Sequence, residues 1–160
     1  MRVDIMAVMR GVDPFELLWD RRTHLVDYDG QHYDVISVQD LIRSKKTQRD
    51  KDWPMIRRLV EADYVVRETP SDTDVEFWLR ESRTPAMLIS LAESHREKTE
   101  ALIPARTLLS AACNENERDI EDGLEQEERR EREADRAYWA PLRRELEALR
   151  HGGEPSEEEL

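Results

Sequence analysis

Between Glu115 and Asp135 the chain reads ENERDIEDGLEQEERREREAD, and Ile120, Leu124 and Ala134 are its only apolar side chains. So polar a segment cannot bury enough surface to form a core of its own. It dilutes whatever core the rest of the chain builds. The charges alternate in sign along EQEERREREADR, which suits a solvated helix held by ion pairs three and four residues apart. Gly123 is expected to interrupt that helix. Apolar spacing returns at Ala137, Tyr138, Leu142, Leu146 and Leu149, so a helical pattern resumes as far as residue 150.

A chain of 160 residues allows one modest domain plus an appendage. The hydrophobic fraction of 38% and charged fraction of 39% fit one core diluted by a long solvated segment. The net charge of −12 is unevenly spread. Residues 1–67 hold 12 Lys/Arg and 12 Asp/Glu, so the excess negative charge belongs to residues 68–160. No apolar run reaches the ~20 residues that span a bilayer. The N-terminal MRVDIMAVMRGVDP carries Asp4 inside its apolar stretch and has no small-residue cleavage signature, so it does not read as a signal peptide. The single cysteine, Cys113, excludes an internal disulfide framework and a cysteine zinc cluster. These features predict a cytoplasmic protein with no membrane partner.

The first half predicts strand, helix, two strands, helix, helix. Val3, Ile5, Ala7 and Val8 lie in an apolar run suited to a buried strand. Asp13-Pro14-Phe15-Glu16 offers an N-cap, a first-turn proline and a capping acid, which predicts a helix over FELLWDRR. THLVDYDGQHYDVIS predicts a hairpin with a tight turn at Asp29-Gly30. Ser37, with Asp40 three residues on, starts a helix carrying Val38, Leu41 and Ile42. A further helix begins near Asp50 or Asp52, with Met55, Ile56, Leu59 and Val60 on one face. Beyond it, Ser71 or Asp72 caps DVEFWLRES, Thr84-Pro85 opens AMLISLAESHREKTEALI, and Pro104 opens a helix through Leu108, Leu109 and Ala112. The span 104–150 is expected to pack as a long hairpin on 84–103. The tail HGGEPSEEEL predicts disorder.

Two features point to chemistry. Asp4 sits between Val3 and Ile5, where an unpaired buried charge is costly; it faces either a site or solvent at a strand edge. Residues 43–58 hold seven cations (Arg43, Lys45, Lys46, Arg49, Lys51, Arg57, Arg58) beside Asp50 and Asp52. A cationic turn feeding a helix N-terminus attracts phosphate oxygens through both its side chains and its free backbone N–H groups. The bland alternative is a capped helix with a solvated basic face, in which Asp52 caps and Asp50 pairs with Arg49 or Arg57. His24 and His32 lack metal-ligand spacing, His95 and His151 have no partner in sequence, and Cys113 has no activating motif. Trp19, Trp53, Trp78 and Trp139 are spaced for helix packing.

The ordered succession Val3-Asp4-Ile5, Ile36-Ser37 with Asp40-Leu41-Ile42, then Lys45 or Lys46, Arg49 and Lys51-Asp52 resembles the later half of small bacterial nucleotidyltransferase-fold proteins. These belong to the polymerase-β-like superfamily and include minimal and abortive-infection types. The resemblance covers residues 2–64. It implies a fold in which three carboxylates bind two divalent metals that align a nucleotide's α-phosphate. By position, Asp4 resembles the third of those metal-binding, catalytic carboxylates. Lys45 or Lys46, with Arg49, resembles the triphosphate contacts, and Asp52 the acid that accompanies them. The Gly-Ser turn and Asp-x-Asp strand that supply the other two carboxylates do not precede Asp4; Asp27-Tyr28-Asp29 and Asp72-Thr73-Asp74 lack that context. The chain as written is therefore expected to be a truncated or degenerate member, inactive alone. Mg²⁺ is expected only if further residues complete the site.

The fold class expected is α+β: a partial nucleotidyltransferase-like sheet of about three strands with helices, then a charged, mostly helical C-terminal arm. The divisions are 1–67 for the α/β region, 68–150 for the helical region and 151–160 for the acidic tail. The second functional reading is a non-catalytic interaction module, antitoxin-like or regulatory, with a protein partner or a second copy. A nucleotide is the small-molecule partner implied; nucleic acid is disfavoured by the net charge.

Overall fold

The computed structural model describes residues 8–151. Of the buried strand expected through Val3, Ile5, Ala7 and Val8, with Asp4, only Val8 is described, and it is exposed and in no strand; the rest, and the tail beyond His151, lie outside the described residues. Among the described residues the fold is α+β, with eight helices and one two-stranded antiparallel sheet.

Helix α1 (Phe15–Asp20) follows Pro14, which itself occupies the cap position and gives no side-chain hydrogen bond. Asp13, expected to cap, instead accepts from Arg21 Nη2 at 2.7 Å. Strands β1 (Thr23–Val26) and β2 (His32–Val35) pair with Leu25 opposite Tyr33 and Val26 opposite His32. The connection is wider than the tight turn predicted, because Asp27 stabilises a longer one. Its Oδ1 accepts from the backbone N–H groups of Asp29 and Gln31, each at 2.9 Å, while Gly30 takes the left-handed φ of 76°. The hairpin strands are exposed apart from the half-buried Val35.

Ser37 starts α2 (Val38–Ser44) as predicted: its Oγ accepts from the Asp40 N–H at 3.1 Å and donates to Asp40 Oδ2 at 2.7 Å. Asp40 is buried and grips Arg21 through Nε at 3.1 Å and Nη2 at 3.0 Å, which ties the end of α1 to α2. Burial alone would raise the Asp40 carboxyl. The hydrogen bonds from Arg21 and Ser37 and the charges of Arg21 and Arg43 outweigh it and hold the group below its ordinary range.

Helix α3 (Asp52–Val66) buries Trp53, Ile56 and Val60 along one face, and Met55, expected there, is exposed. Ser71 and Asp74 close a capping box at the start of α4 (Asp72–Glu81). Its Trp78 is fully buried, donates Nε1–H to Asp63 Oδ2 at 2.8 Å and meets Tyr64 edge-on. The long helix predicted after Thr84-Pro85 is two: α5 (Pro85–Ser94) and α6 (Arg96–Leu102), broken at His95, whose φ of −133° is not helical. Thr99 Oγ1 takes the His95 carbonyl at 3.0 Å. Nor does Pro104 open a helix. Residues 103–108 form turns that deliver Arg106 inward, and α7 (Leu109–Cys113) starts only afterwards. Arg106 donates to the carbonyls of Leu79 (2.7 Å) and Ser82 (2.9 Å) and makes a two-pronged bond to Glu127.

Helix α8 (Glu117–Arg150) runs 34 residues, about 51 Å at ~1.5 Å per residue. It packs its first turns on α5 and α7, and the helix passes through Gly123 without a break. The expected hairpin of 104–150 is thus confined to the beginning of α8. One cluster of buried apolar side chains runs from Ile42 to Leu124, taking in Trp53, Trp78, Leu88 and Leu109. No described helix is long and apolar enough to cross a membrane.

Candidate functional site

The turn from Lys45 to Lys51 links α2 to α3, and its shape follows from short-range hydrogen bonds. Thr47 Oγ1 donates to Asp52 Oδ2 at 2.6 Å and accepts from the Arg49 N–H at 3.1 Å; the Trp53 indole N–H reaches the Thr47 carbonyl at 3.0 Å. Asp52 was expected either to cap α3 or to stand beside the phosphate contacts. It is the first residue of that helix, 2% exposed, and α3 has no side-chain cap. Its carboxylate instead braces the turn through Thr47, with Lys45 Nζ at 3.9 Å. Lys45, Lys46, Arg49 and Asp52 all line one cavity of about 280 Å³, together with Asp135 and Trp139 of α8.

The cations divide by partner. Lys46 Nζ lies 2.8 Å from Glu81 Oε2. Among the described residues, Lys45 has a carboxylate only at the limit of ion pairing, and the Arg49 side chain has none. Asp50 pairs with neither Arg49 nor Arg57: Arg132 of α8 takes it, and Arg57 bonds Glu61 at 2.9 Å. The bond to Asp50, followed by that to Glu128, raises the Arg132 guanidinium above its ordinary value.

Two groups from distant sequence complete the wall. Arg10 donates Nε–H to Asp135 Oδ1 at 3.3 Å and Nη2–H to Glu131 Oε2 at 2.8 Å, and it also bonds the Lys46 carbonyl. Asp135, 2% exposed, accepts further from the Gln48 N–H at 3.0 Å and from Trp139 Nε1 at 3.1 Å. Arg10 and Lys46 also border a neighbouring cavity of about 580 Å³. There Arg83 lies among Glu127, Glu128 and Arg106, and burial lowers its pKa from the ordinary value.

Among the described residues, the remaining candidates do not line this cavity. Asp4 lies outside the described residues. His24 Nδ1 sits 2.5 Å from Asp34 on the hairpin, His32 pairs across it with Val26, and His95 occupies the α5–α6 break. Among the described residues no group of three or more His, Cys, Asp or Glu side chains is placed to hold a metal ion. Trp53 and Trp78 do pack in the core, whereas Trp19 is exposed under Arg22 and Trp139 borders the cavity.

Sequence reasoning missed Arg10, Glu131 and Asp135. The available signal was weak: Asp135 and Trp139 stand four apart at the point where apolar spacing resumes on α8. Comparison with protein-family models, curated proteins and solved structures yields no match.

Proposed function

We propose that the chain is a nucleotidyltransferase-like protein whose turn at residues 45–52 is a phosphate-contacting corner, with a nucleoside triphosphate as the ligand class. The observation supporting this reading is the common wall: Lys45, Lys46, Arg49 and Asp52, singled out by their order in sequence, border one cavity. Lys45 and Arg49 make the direct phosphate contacts, because Lys46 is engaged by Glu81 and Asp52 by Thr47. Asp52 holds the turn in shape. Asp4 retains the metal-binding, catalytic role that the resemblance assigns it, and Mg²⁺ joins only where further carboxylates complete its site. The chain alone binds without transferring.

Calorimetric titration with ATP tests this. Each of Lys45→Ala and Arg49→Ala removes a charge-assisted contact, expected to weaken binding by about 1.5–3 kcal/mol, roughly ten- to a hundredfold. Unchanged affinity in the double variant would refute the corner. A Mg²⁺-dependent transfer that Asp4→Ala abolishes would refute the claim of inactivity.

A second reading, the interaction module, is favoured by one observation. Tyr138, Leu142, Leu146 and Leu149 are each exposed on α8, at steps of four, four and three that put them on one face. Sedimentation of the chain with Leu142→Lys and Leu146→Lys tests it: loss of a self-associated or partner-bound species supports that reading.

A further inference from the structure

The face of α8 that meets the body changes character along its length. At its start Ile120 and Leu124 are buried against α5 and α7. From Glu125 onward the helix buries one described residue, Asp135, and that residue is charged. Most of what fastens this part of α8 is ionic or polar, beside the half-buried Trp139 and Ala140 and the Arg132 guanidinium over the Trp53 ring. Glu127 meets Arg83 and Arg106, Glu128 meets Arg83, Arg132 meets Asp50, Glu131 meets Arg10, and Asp135 holds Arg10 and the Gln48 N–H. A helix segment docked by charge can be released by a competing charge, whereas apolar docking is indifferent to one.

The competing ligand is the one the corner would take. Asp135 presents two carboxylate oxygens to a guanidinium, a backbone N–H of the cationic turn and an indole N–H. A phosphate group presents the same acceptor chemistry, with more oxygens and more charge. Arg10, Gln48 and Asp135 border the same cavity as Lys45 and Arg49. An anion drawn to Lys45 and Arg49 therefore finds its next donors already held by the arm.

Resting on the corner reading above, we propose that α8 is an autoinhibitory arm: Glu131 and Asp135 hold the donors of the phosphate corner, and a phosphate-bearing ligand displaces them. Displacement frees the segment from Glu128 to Trp139 while Ile120 and Leu124 keep α8 anchored.

The test is titration of the full chain with inorganic triphosphate, for wild type, Asp135→Asn and Arg49→Ala, paired with amide hydrogen exchange. The arm predicts that Asp135→Asn tightens triphosphate binding about tenfold, a typical coupling between linked equilibria, and that Arg49→Ala weakens it. It also predicts that triphosphate speeds exchange at residues 128–139 of the wild type. If wild type binds and Arg49→Ala does not, but Asp135→Asn binds no more tightly and exchange at 128–139 is unchanged or slower, the arm is refuted and the corner stands. If neither wild type nor Asp135→Asn binds triphosphate, both fall. Should Asp135→Asn fail to fold, Glu131→Gln loosens Arg10, which then keeps only its bonds to Asp135 and to backbone carbonyls, and must shift affinity in the same direction. A shift the other way rejects the arm.

Discussion

Gly123 and Leu108 meet so closely that a Cβ atom on the glycine would lie 2.8 Å from the leucine Cβ. This contact explains why a glycine sits inside α8 where the helix passes Leu108 of the 103–108 turns. Gly123→Ala gains about 1 kcal/mol of helix propensity but must push Leu108, a buried core residue, aside; such overpacking typically costs ~1–3 kcal/mol. The expected outcome in urea unfolding is net destabilisation. Leu108→Ala keeps the Cβ that the new methyl would meet, so adding it to Gly123→Ala should leave the overlap in place and give no rescue.

Asp52 lies beside the proposed phosphate contacts, yet its carboxylate faces Thr47 and the start of α3. Asp52→Asn should therefore lower stability by about 1–2 kcal/mol. Its effect on ATP affinity, measured well below the unfolding transition, should stay within about twofold, or ~0.4 kcal/mol. A tenfold loss of affinity with unaltered stability would make Asp52 a ligand contact instead.

The Arg21–Asp40 pair makes a pH-dependent prediction. The folded Asp40 pKa is depressed, so the pair's stabilisation is complete above the ordinary carboxylate range and is lost as pH falls through the depressed value. Asp40→Asn should cost about 2 kcal/mol at pH 7, below the ~3–5 kcal/mol for breaking a fully buried pair, since Arg21 stays half-exposed and Ser37 can still bond the amide. The gap between wild type and variant should narrow as the medium is acidified. A gap that held constant down to pH 2 would show that shape, not charge, carries the contribution.

What the sequence made legible was local. Ser37 with Asp40, Ser71 or Asp72, and Thr84-Pro85 each mark a helix start, and the structure starts α2, α4 and α5 there, with Ser71 as the cap of α4. Its failures share a cause: distant partners decided the outcome. The turn at 103–108 opens because Arg106 reaches carbonyls of α4 and Ser82 and a carboxylate of α8. Gly123 reads as a helix breaker until Leu108 is placed against it. Asp135 looks like one more solvated charge among many, and its burial depends on Arg10, 125 residues away. The clustering of Lys45, Lys46, Arg49 and Asp52 was legible because one short turn carries all four; what opposes them across the cavity was not.

The ionic docking of α8 leads to a prediction independent of any ligand. Raising NaCl from ~0.15 M to 1 M shortens the screening length from about 8 Å to about 3 Å. The half-exposed pairs of Glu128, Glu131 and Arg132 should weaken, while burial of Ile120 and Leu124 should not. Amide exchange at residues 128–139 is therefore expected to speed up severalfold in high salt, with 118–124 unaltered. The turns from Leu142 to Arg150, which touch no other described element through buried contacts, supply the control: they register what salt does to the helix's own ion pairs. Acceleration at 128–139 beyond that in the control region marks loss of docking. If the two regions respond alike, only the helix's internal pairs are being screened, and α8 is held to the body by something other than charge.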